Sequence, residues 1–592
     1  MLASHSPTHP PAPVTVHPVR SARWSLLAQA LVVGLYLGRV VAETAVQPWP
    51  LAWLLPLVAG GLVAGLAVSL LAERYLATGL PLLLLGAYVL WPVASATWAI
   101  GILAAALIVL LMANARALPT PWPEALAVGG GLLLYGSTVS PGLLPADSGE
   151  FQLVATVLGI AHPPGYPLYT MVGRLATLLV PLGDPALRLN LLSVLLSALT
   201  LGVVAHTVRR RTGSAAAALV AAGALGFSAT FWAQATTANI RALTGLFVAL
   251  LVALALRWGE ERSPRLLWIL AGVFGLAVGH HSSLAPLGLP LAGYVLWREP
   301  TLLRRPRRWV APLAALAASF AVLLYLPVRS LWGAPFDPEP IRSLADMAQH
   351  VLALGFRGDM FYFRTLPALA ARTAVWAQIM RLEFGLPLLV AAGLAAVAVA
   401  RRDRRAALLV GGILGVNTVL AVTYRAPQTV EYLLPSYVAL AVLLGEGLGL
   451  AVAALGDHAH GWGRWGAGIL VAVLAVAAVG NGWANWPSFR TLHRDDATRQ
   501  AAESLLRDAP PGALVLANWH HATPLWYLQE VDGLREDVEV VYVYPEGATP
   551  NEEVWLRRID EALDERPVIV TNRFYAYEGA DLRFVPYHDA WL

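Results

Sequence analysis

Two carboxylates and a histidine stand close together in a stretch of sequence that is otherwise apolar. Asp147 and Glu150 belong to the run Asp-Ser-Gly-Glu-Phe, and His162 opens the run His-Pro-Pro-Gly-Tyr-Pro. Asp147 and Glu150 have a spacing that puts both on one face of a helical turn. Carboxylates at a membrane surface are costly unless they are hydrated or paired, so this pair is a candidate catalytic site. Asp147 could instead cap the helix that begins near Glu150, and capping does not exclude catalysis.

The segment that begins at His162 is predicted to be a rigid turn leading into a helix. Pro163 and the proline after it fix φ, and Gly165 permits a close approach of the backbone before Tyr166. An imidazole beside two carboxylates can stabilise negative charge that develops on a bound substrate. The alternative is that the histidine only fills a polar corner of the turn. We expect four residues here to bind the substrate: His162, Pro163, Gly165 and Tyr166.

Further polar residues are predicted on the same side of the membrane as this turn. They are Asn239, Arg241, His280, His281, Arg329, Arg357, Arg364 and Arg425, together with Asp359, Glu431 and Tyr432. Guanidinium groups bind phosphate oxygens in a bidentate manner, which makes the arginines candidate phosphate-binding residues. Each arginine taken alone could equally be an interfacial side chain that reaches out of the membrane. The adjacent histidines have no acidic neighbour, so they are a weak metal signal, and no cofactor is predicted.

The composition excludes several classes of protein. The chain has 592 residues, of which 57% are hydrophobic and 13% are charged, and its mean hydropathy is +0.60. Soluble domains are about 45–50% apolar and about 25% charged, and disordered chains are more polar still. The absence of cysteine rules out disulfides and thiolate metal sites. The net charge of +4 is too small and too dispersed for a nucleic-acid-binding protein.

Apolar segments follow one another from residue 24 to residue 484. Each has close to the roughly 20 residues that a helix needs to cross a membrane, and we count about fifteen spans. The segments are 24–42, 51–72, 76–92, 95–113, 124–140, 186–208, 214–233, 238–257, 266–280, 284–297, 310–328, 384–400, 406–424, 432–455 and 466–484. The sequence therefore predicts a polytopic all-α membrane domain over residues 24–484.

The arginines predict the orientation of these spans, since short loops rich in arginine face the cytoplasm. The arginine clusters fall on one side only if the apolar stretch 165–181 does not cross, so we predict a helix lying along the outer surface there. Residues 1–23 are then a disordered cytoplasmic tail, and the long loops 140–186 and 329–383 face outward. All basic residues are arginine, which is typical of a GC-rich bacterial genome and suggests a bacterial plasma (inner) membrane.

Residues 485–592 have a different character, because they are polar and rich in acidic clusters. Helices over 498–508, 523–530 and 551–564 alternate with strands over 513–518, 538–544 and 568–572. This alternation predicts a small extracytoplasmic α/β domain with a parallel sheet. The domain has no glycine-rich phosphate loop that would indicate a nucleotide site.

The run DSGEFQLVATVLGIAHPPGYPLY, over residues 147–169, resembles the signature of a family of polytopic membrane proteins placed among the GT-C glycosyltransferases. Its animal member is a protein O-mannosyltransferase. Further similar blocks are RLNLLSVLLSAL, FWAQATTANIRALTGLFVALLVALALRW, GLAVGHHSSLAPLGLPL, LLYLPVRSLWGAP and GFRGDMF, and LWYLQEVDGLREDVEVVYV near the carboxyl end. The resemblance thus covers most of the chain.

This resemblance implies a GT-C fold, an acidic residue of the first outer loop as the base, and a sugar donor carried on a polyprenyl phosphate. It assigns the base to Asp147, with Glu150 orienting the base or sharing its role. The acceptor would be a hydroxyl of a protein, a glycan or a lipid. This chain has Asn239-Ile240-Arg241 where the family usually carries Glu-Val-Tyr, which indicates a changed substrate or a lost activity.

Two other functions are compatible with the sequence. A transporter or flippase of lipid-linked sugars would share the many spans and the outer polar loops, but no internal repeat is evident and few ionisable residues fall in the middle of a span. A non-catalytic membrane scaffold with a partner-binding α/β domain is the third possibility. The clustering of polar groups at one face favours an enzyme that handles a lipid-linked donor.

Overall fold

The computed structural model describes residues 21–43, 51–76, 78–94, 96–114, 121–425, 428–456, 462–547, 549–574, 584–588 and 590–591. Most of the predicted cytoplasmic tail, residues 1–20, lies outside this part of the chain. The chain divides into two compact units, Met1–Trp122 and Pro123–Leu592.

The first unit is a small helical cluster held together by close packing at glycines. Its elements are α1 (Ser21–Glu43), α2 (Leu51–Tyr75), a 3₁₀ segment (Leu80–Leu85), α3 (Gly86–Val89) and α4 (Ala96–Asn114). A Cβ on Gly61 would lie 2.6 Å from the carbonyl oxygen of Gly34, so α1 and α2 approach backbone to backbone. Small residues at helix contacts are typical of membrane proteins, where packing rather than water exclusion holds helices together.

The second unit contains the remaining helices and the sheet. Its helices are α5 (Trp122–Gly136), α6 (Ala146–Val157), α7 (Pro167–Leu179), α8 (Pro185–Thr212), α9 (Ala215–Gly226), α10 (Ala229–Thr236), α11 (Arg241–Glu261), α12 (Pro264–His280), α13 (Gly288–Arg298), α14 (Val310–Ser319), α15 (Tyr325–Leu331), α16 (Leu344–Val351), α17 (Leu366–Arg402), α18 (Arg404–Thr423), α19 (Thr429–Tyr432), α20 (Leu434–Gly456), α21 (Trp462–Leu492), α22 (Ala497–Asp508), α23 (Trp519–Glu530) and α24 (Asn551–Leu563).

The expected helical membrane protein is confirmed, whereas the expected count of about fifteen spans stays a prediction. Among the described residues, eight helices are long and apolar enough to cross a membrane, or nine if α9 and α10, which meet at a 73° bend, form one span. Several expected spans form shorter or broken helices. Segment 284–297 becomes a 3₁₀ turn followed by α13, and 310–328 is interrupted by a 3₁₀ turn between α14 and α15.

The core of the second unit lies around α8, α11 and α20, which are the most deeply buried of its long helices. The helices outside them expose large aliphatic side chains, for example Leu313, Leu394 and Val476. Contiguous exposed apolar surface of this kind fits hydrocarbon rather than water.

The stretch 165–181 forms α7, which has 13 residues and is therefore about 20 Å long, too short to cross a bilayer. It buries Tyr169, Thr170 and Gly173 against the protein and exposes Leu178 and Leu179. An apolar exposed face on a short helix is typical of a helix at a membrane interface. The surface location remains a prediction that this geometry supports.

The carboxyl-terminal sheet is confirmed and is larger than expected. The strands β1 (Leu514–Ala517), β2 (Glu539–Tyr542) and β3 (Val568–Val570) pair in parallel, with β1 in the centre. The short strands β4 (Pro586–Tyr587) and β5 (Ala590–Trp591) add antiparallel pairs, which gives the order β2-β1-β3-β5-β4. Two-residue strands have no readable alternation, so sequence patterning missed them. The expected boundary near residue 485 falls inside α21, which continues to Leu492.

Candidate active site

Asp147 lies in the first turn of α6 and Glu150 three residues later, so they share a helix face as the spacing predicts, but they have different surroundings. Pro145 occupies the N-cap position and no side chain caps this helix, so Asp147 does not act as the cap. Asp147 is partly exposed, whereas Glu150 is completely buried. The two carboxylates therefore share a helix face without sharing an environment.

Glu150 binds His162, the first residue of the predicted turn. Its Oε1 accepts a hydrogen bond of 2.7 Å from the main-chain N–H of His162, and its Oε2 lies 2.5 Å from Nδ1 of the same histidine. Burial alone would lower the pKa of His162, but the charge and hydrogen bond of Glu150 outweigh it and raise this pKa to about 9. Glu150 thus holds an imidazolium in place, which favours an orienting role over a second base.

The turn after His162 brings an aromatic cluster to the site. Gly165 has φ +88°, and a Cβ on it would lie 2.8 Å from Leu326, so only glycine fits without rearrangement. Tyr166 follows, and its Oη lies 3.5 Å from Nε2 of His162. Its ring packs edge-on against Phe151 at 5.2 Å. Pro163 lies in the turn itself and is joined to the next proline by a cis peptide bond.

The carboxyl-terminal domain contributes a residue that sequence reasoning missed. Trp519, the first residue of α23, donates a hydrogen bond of 2.7 Å from Nε1 to Oδ1 of Asp147. Among the described residues, no hydrogen bond reaches the second oxygen of that carboxylate, Oδ2. The Trp519 ring also packs edge-on against His162 at 5.8 Å. Its position directly after a strand of a parallel sheet is the signal that could have indicated it, because sites gather at that edge.

Arg241 forms a second polar group on this side of the unit. Its side chain is almost completely buried, lies 3.9 Å from the Glu431 carboxylate and stacks over the Tyr432 ring at 3.9 Å. His281 approaches the same Tyr432 ring at 6.4 Å and the ring of Tyr166 at 5.6 Å. Burial, together with the nearby Arg241, holds the pKa of His281 well below its usual range, so this histidine is neutral. Arg241, His281 and Tyr166 therefore line one continuous polar and aromatic patch.

The side chains of Asn239 and His280 form hydrogen bonds with main-chain groups. The Asn239 side chain accepts from the N–H groups of Arg241 and Ala242 at the start of α11 and donates to the carbonyl oxygen of Gln234. The Nε2 of His280 lies 3.1 Å from the carbonyl oxygen of Ile240. These contacts shape the beginning of α11 and favour structural roles for both residues.

Among the described side chains, those of Arg329, Arg364 and Arg425 make no hydrogen bond or ion pair with the carboxylates of α6. Arg329 donates to the carbonyl oxygen of Leu158 and so fastens the end of α6 to α15. Arg425 pairs with Asp359 at 2.6 Å and is more than half exposed. Arg364 is exposed, and the side chain of Arg357 lies outside the described part of the structure. Sequence position alone could not separate these roles, because each depends on a contact between distant segments.

The described residues include no group of three or more histidine, aspartate or glutamate side chains that could hold a metal ion. Near α6, Glu150 is paired with His162, and Asp147 accepts a hydrogen bond from Trp519. What this arrangement can do is accept a proton at Asp147 and present positive charge at His162 beside it.

Comparisons with known proteins agree with the family expected from the sequence motifs. Residues 147–304 match the model of the Protein O-mannosyl-transferase TMEM260 N-terminal domain. The chain is 29% identical to the Protein O-mannosyl-transferase TMEM260 of Mus musculus, over 71% of this chain and 63% of the mouse protein. It is 26% identical to the corresponding Dictyostelium discoideum protein over 22% of this chain and 16% of that protein. The chain therefore spans less than two thirds of these relatives.

The fold is similar to that of a solved bacterial protein. The crystal structure of ArnT from Cupriavidus metallidurans bound to undecaprenyl phosphate matches with a TM-score of 0.54 at 15% identity, covering 80% of this chain and 98% of ArnT. The same protein in the apo state matches with a TM-score of 0.50 at 14% identity, covering 78% and 95%. In sequence the chain is thus similar to the Protein O-mannosyl-transferase TMEM260 proteins, and in fold it is similar to ArnT.

Proposed function

We propose that this protein is a membrane glycosyltransferase that transfers a hexose, such as mannose, from a polyprenyl-phosphate donor to an acceptor hydroxyl. The reaction takes place at the extracytoplasmic face, and Asp147 is the general base. The proposal rests mainly on the hydrogen bonding of the Asp147 carboxylate. One of its oxygens is held by Trp519, while Oδ2 has no hydrogen bond from the described residues and is available to a substrate.

The chemical step follows from the charges around α6. The acceptor oxygen attacks the anomeric carbon and its proton passes to Oδ2 of Asp147, a contribution of about 10²–10⁴-fold. The bond between the anomeric carbon and the phosphate oxygen breaks on the opposite face, so the configuration inverts. The electron pair leaves with the polyprenyl phosphate, and the His162 imidazolium stabilises the charge that develops there.

A phosphate is a weakly basic leaving group and needs charge stabilisation rather than a proton. His162 is suited to this role because Glu150 keeps it protonated in the neutral range. Arg241 is the second candidate, since it is buried in the same polar patch and its guanidinium geometry matches phosphate oxygens. Neither contribution requires a metal ion.

The exposed aliphatic surfaces of the helices support a sugar donor that is linked to a lipid. The helices expose broad aliphatic surfaces on which a long lipid chain can lie, and the similar ArnT structure contains undecaprenyl phosphate. We propose that the donor binds with its lipid in the bilayer and its sugar phosphate between α6 and the start of α11. The α/β domain then lies on the extracytoplasmic side, because Trp519 reaches Asp147 from it.

The proposal is tested with purified protein in lipid nanodiscs and radiolabelled polyprenyl-phosphate mannose or glucose, with a periplasmic extract as the acceptor. Label appearing in an acceptor supports transfer and identifies the acceptor class. Reconstituted vesicles distinguish the flippase alternative, because a flippase moves the intact donor across the bilayer without labelling any acceptor.

A further inference from the structure

The carboxyl-terminal α/β domain reaches the α6 carboxylate through one face of α23. Trp519 Nε1 donates to Asp147 Oδ1 at 2.7 Å, and Thr523 Oγ1 donates to the carbonyl oxygen of Ala146 at 2.8 Å. These donors lie one helical turn apart on α23, and both acceptors lie at the start of α6. Two hydrogen bonds therefore connect the α/β domain to the start of α6, and one of them reaches the carboxylate of the proposed base.

The approach of the two helices is close enough to depend on a glycine. A Cβ on Gly149 would lie 2.8 Å from Oγ1 of Thr523 and 2.4 Å from the carbonyl oxygen of Leu144. The glycine of the Asp-Ser-Gly-Glu-Phe run thus allows α23 to approach α6 closely. A Cβ at this position would force Leu144 or Thr523 to move.

The indole of Trp519 is itself fixed by its neighbours. Its ring packs at 5.0 Å against Tyr542 of β2, at 6.0 Å against Trp526 and at 5.8 Å against His162. Asn518 caps α23 by accepting from the N–H of His521, which sets the direction in which the first residue of the helix projects. A donor held on several sides in this way fixes the rotamer of the carboxylate that it binds.

We infer that Trp519 is a positioning residue for the base, so the α/β domain is part of the catalytic machinery rather than only a docking module. This inference rests on the proposed function. The indole N–H occupies Oδ1 and turns Oδ2 toward the acceptor. A carboxylate with free rotation would present its basic oxygen in the reactive direction only part of the time, and small displacements of catalytic groups are costly to rate.

The test replaces Trp519 with phenylalanine, which keeps an aromatic ring but removes the N–H. We expect kcat to fall roughly tenfold to a hundredfold, the value of a hydrogen bond to a charged group. The KM for the polyprenyl-phosphate donor should stay within about twofold, because the N–H does not act on the donor. In the Asp147→Asn background, Trp519→Phe should cause no further loss, since the group that it positions no longer acts as a base.

A matched control lies away from the carboxylates of α6. The Nε1 of Trp309 donates to the carbonyl oxygen of Leu302, so Trp309→Phe removes an equivalent indole N–H without touching the base or Trp519. Trp309→Phe should retain kcat, and both variants should keep the thermal unfolding temperature within a few degrees. Equal losses of kcat in the two variants, or unchanged kcat in Trp519→Phe, would overturn the inference while leaving the proposed function intact. Absence of transfer by the wild-type protein would contradict the proposed function and this inference together.

Discussion

Glu150 engages both the main-chain N–H and the imidazole Nδ1 of His162, at 2.7 and 2.5 Å. A completely buried carboxylate is costly without a partner, and this pairing satisfies both of its oxygens. The two carboxylates on this helix face therefore have different roles. Glu150 maintains a positive charge at the turn, and Asp147 keeps an oxygen available for substrate.

The pair predicts a specific dependence on pH. The pKa of His162 is raised from 6.5 to about 9 because the charge and hydrogen bond of Glu150 outweigh its burial. Since this pKa is raised in the folded state, the stabilisation is complete below about pH 6.5 and is lost as pH rises through about 9. We expect transfer and the free energy of unfolding to decline together over that range.

The measurement is a pH profile of initial transfer rates alongside thermal unfolding at each pH. Glu150→Gln serves as the internal comparison, because a neutral amide cannot hold the imidazolium and the alkaline decline should move to lower pH. A decline at the same pH in wild type and Glu150→Gln would show that another group controls it.

We expect alanine substitutions at two glycines, Gly149 and Gly129, to differ in their effect on stability. Gly149→Ala puts a methyl group against Leu144 and Thr523, so we expect a loss of about 1–3 kcal/mol in stability and a marked fall in transfer. A Cβ on Gly129 in α5 would meet no atom of the described residues within 4 Å, so Gly129→Ala should be neutral or slightly stabilising. Thermal unfolding in one detergent checks both, and equal stabilities would contradict the tight contact between α6 and α23.

Arg241 predicts a change in donor binding. Arg241→Gln removes a buried guanidinium that stacks on Tyr432, and we expect the KM for the polyprenyl-phosphate donor to rise about tenfold or more. Arg507→Gln, at an exposed position of α22, should leave this KM unchanged. Titration of the donor in steady-state assays makes the comparison. A similar KM for both variants would remove Arg241 from the donor site.

The sequence was most informative where local pattern decides structure. Alternation placed β1, β2 and β3 within one or two residues, and the three-residue spacing placed Asp147 and Glu150 on one helix face. Arg329 was less accessible to such reasoning, because its contact with Leu158 joins segments far apart in the chain.

Trp519 was missed for a related reason. The helix that contains it was expected to begin at residue 523, whereas the Asn518 cap starts it at Trp519. Helix ends depend on a single side-chain hydrogen bond, and no periodicity reports that bond. The partner of Trp519 lies on α6, so only the folded chain could reveal the contact.

The most direct test of the central claim is transfer of labelled sugar by wild-type protein and by Asp147→Asn. Asp560→Asn, an exposed carboxylate on α24, is the matched control. We expect Asp147→Asn to insert and unfold like the wild type but to lose about 10²-fold or more of its transfer rate, while Asp560→Asn remains active. Transfer by Asp147→Asn at the wild-type rate would contradict the assignment of Asp147 as the base.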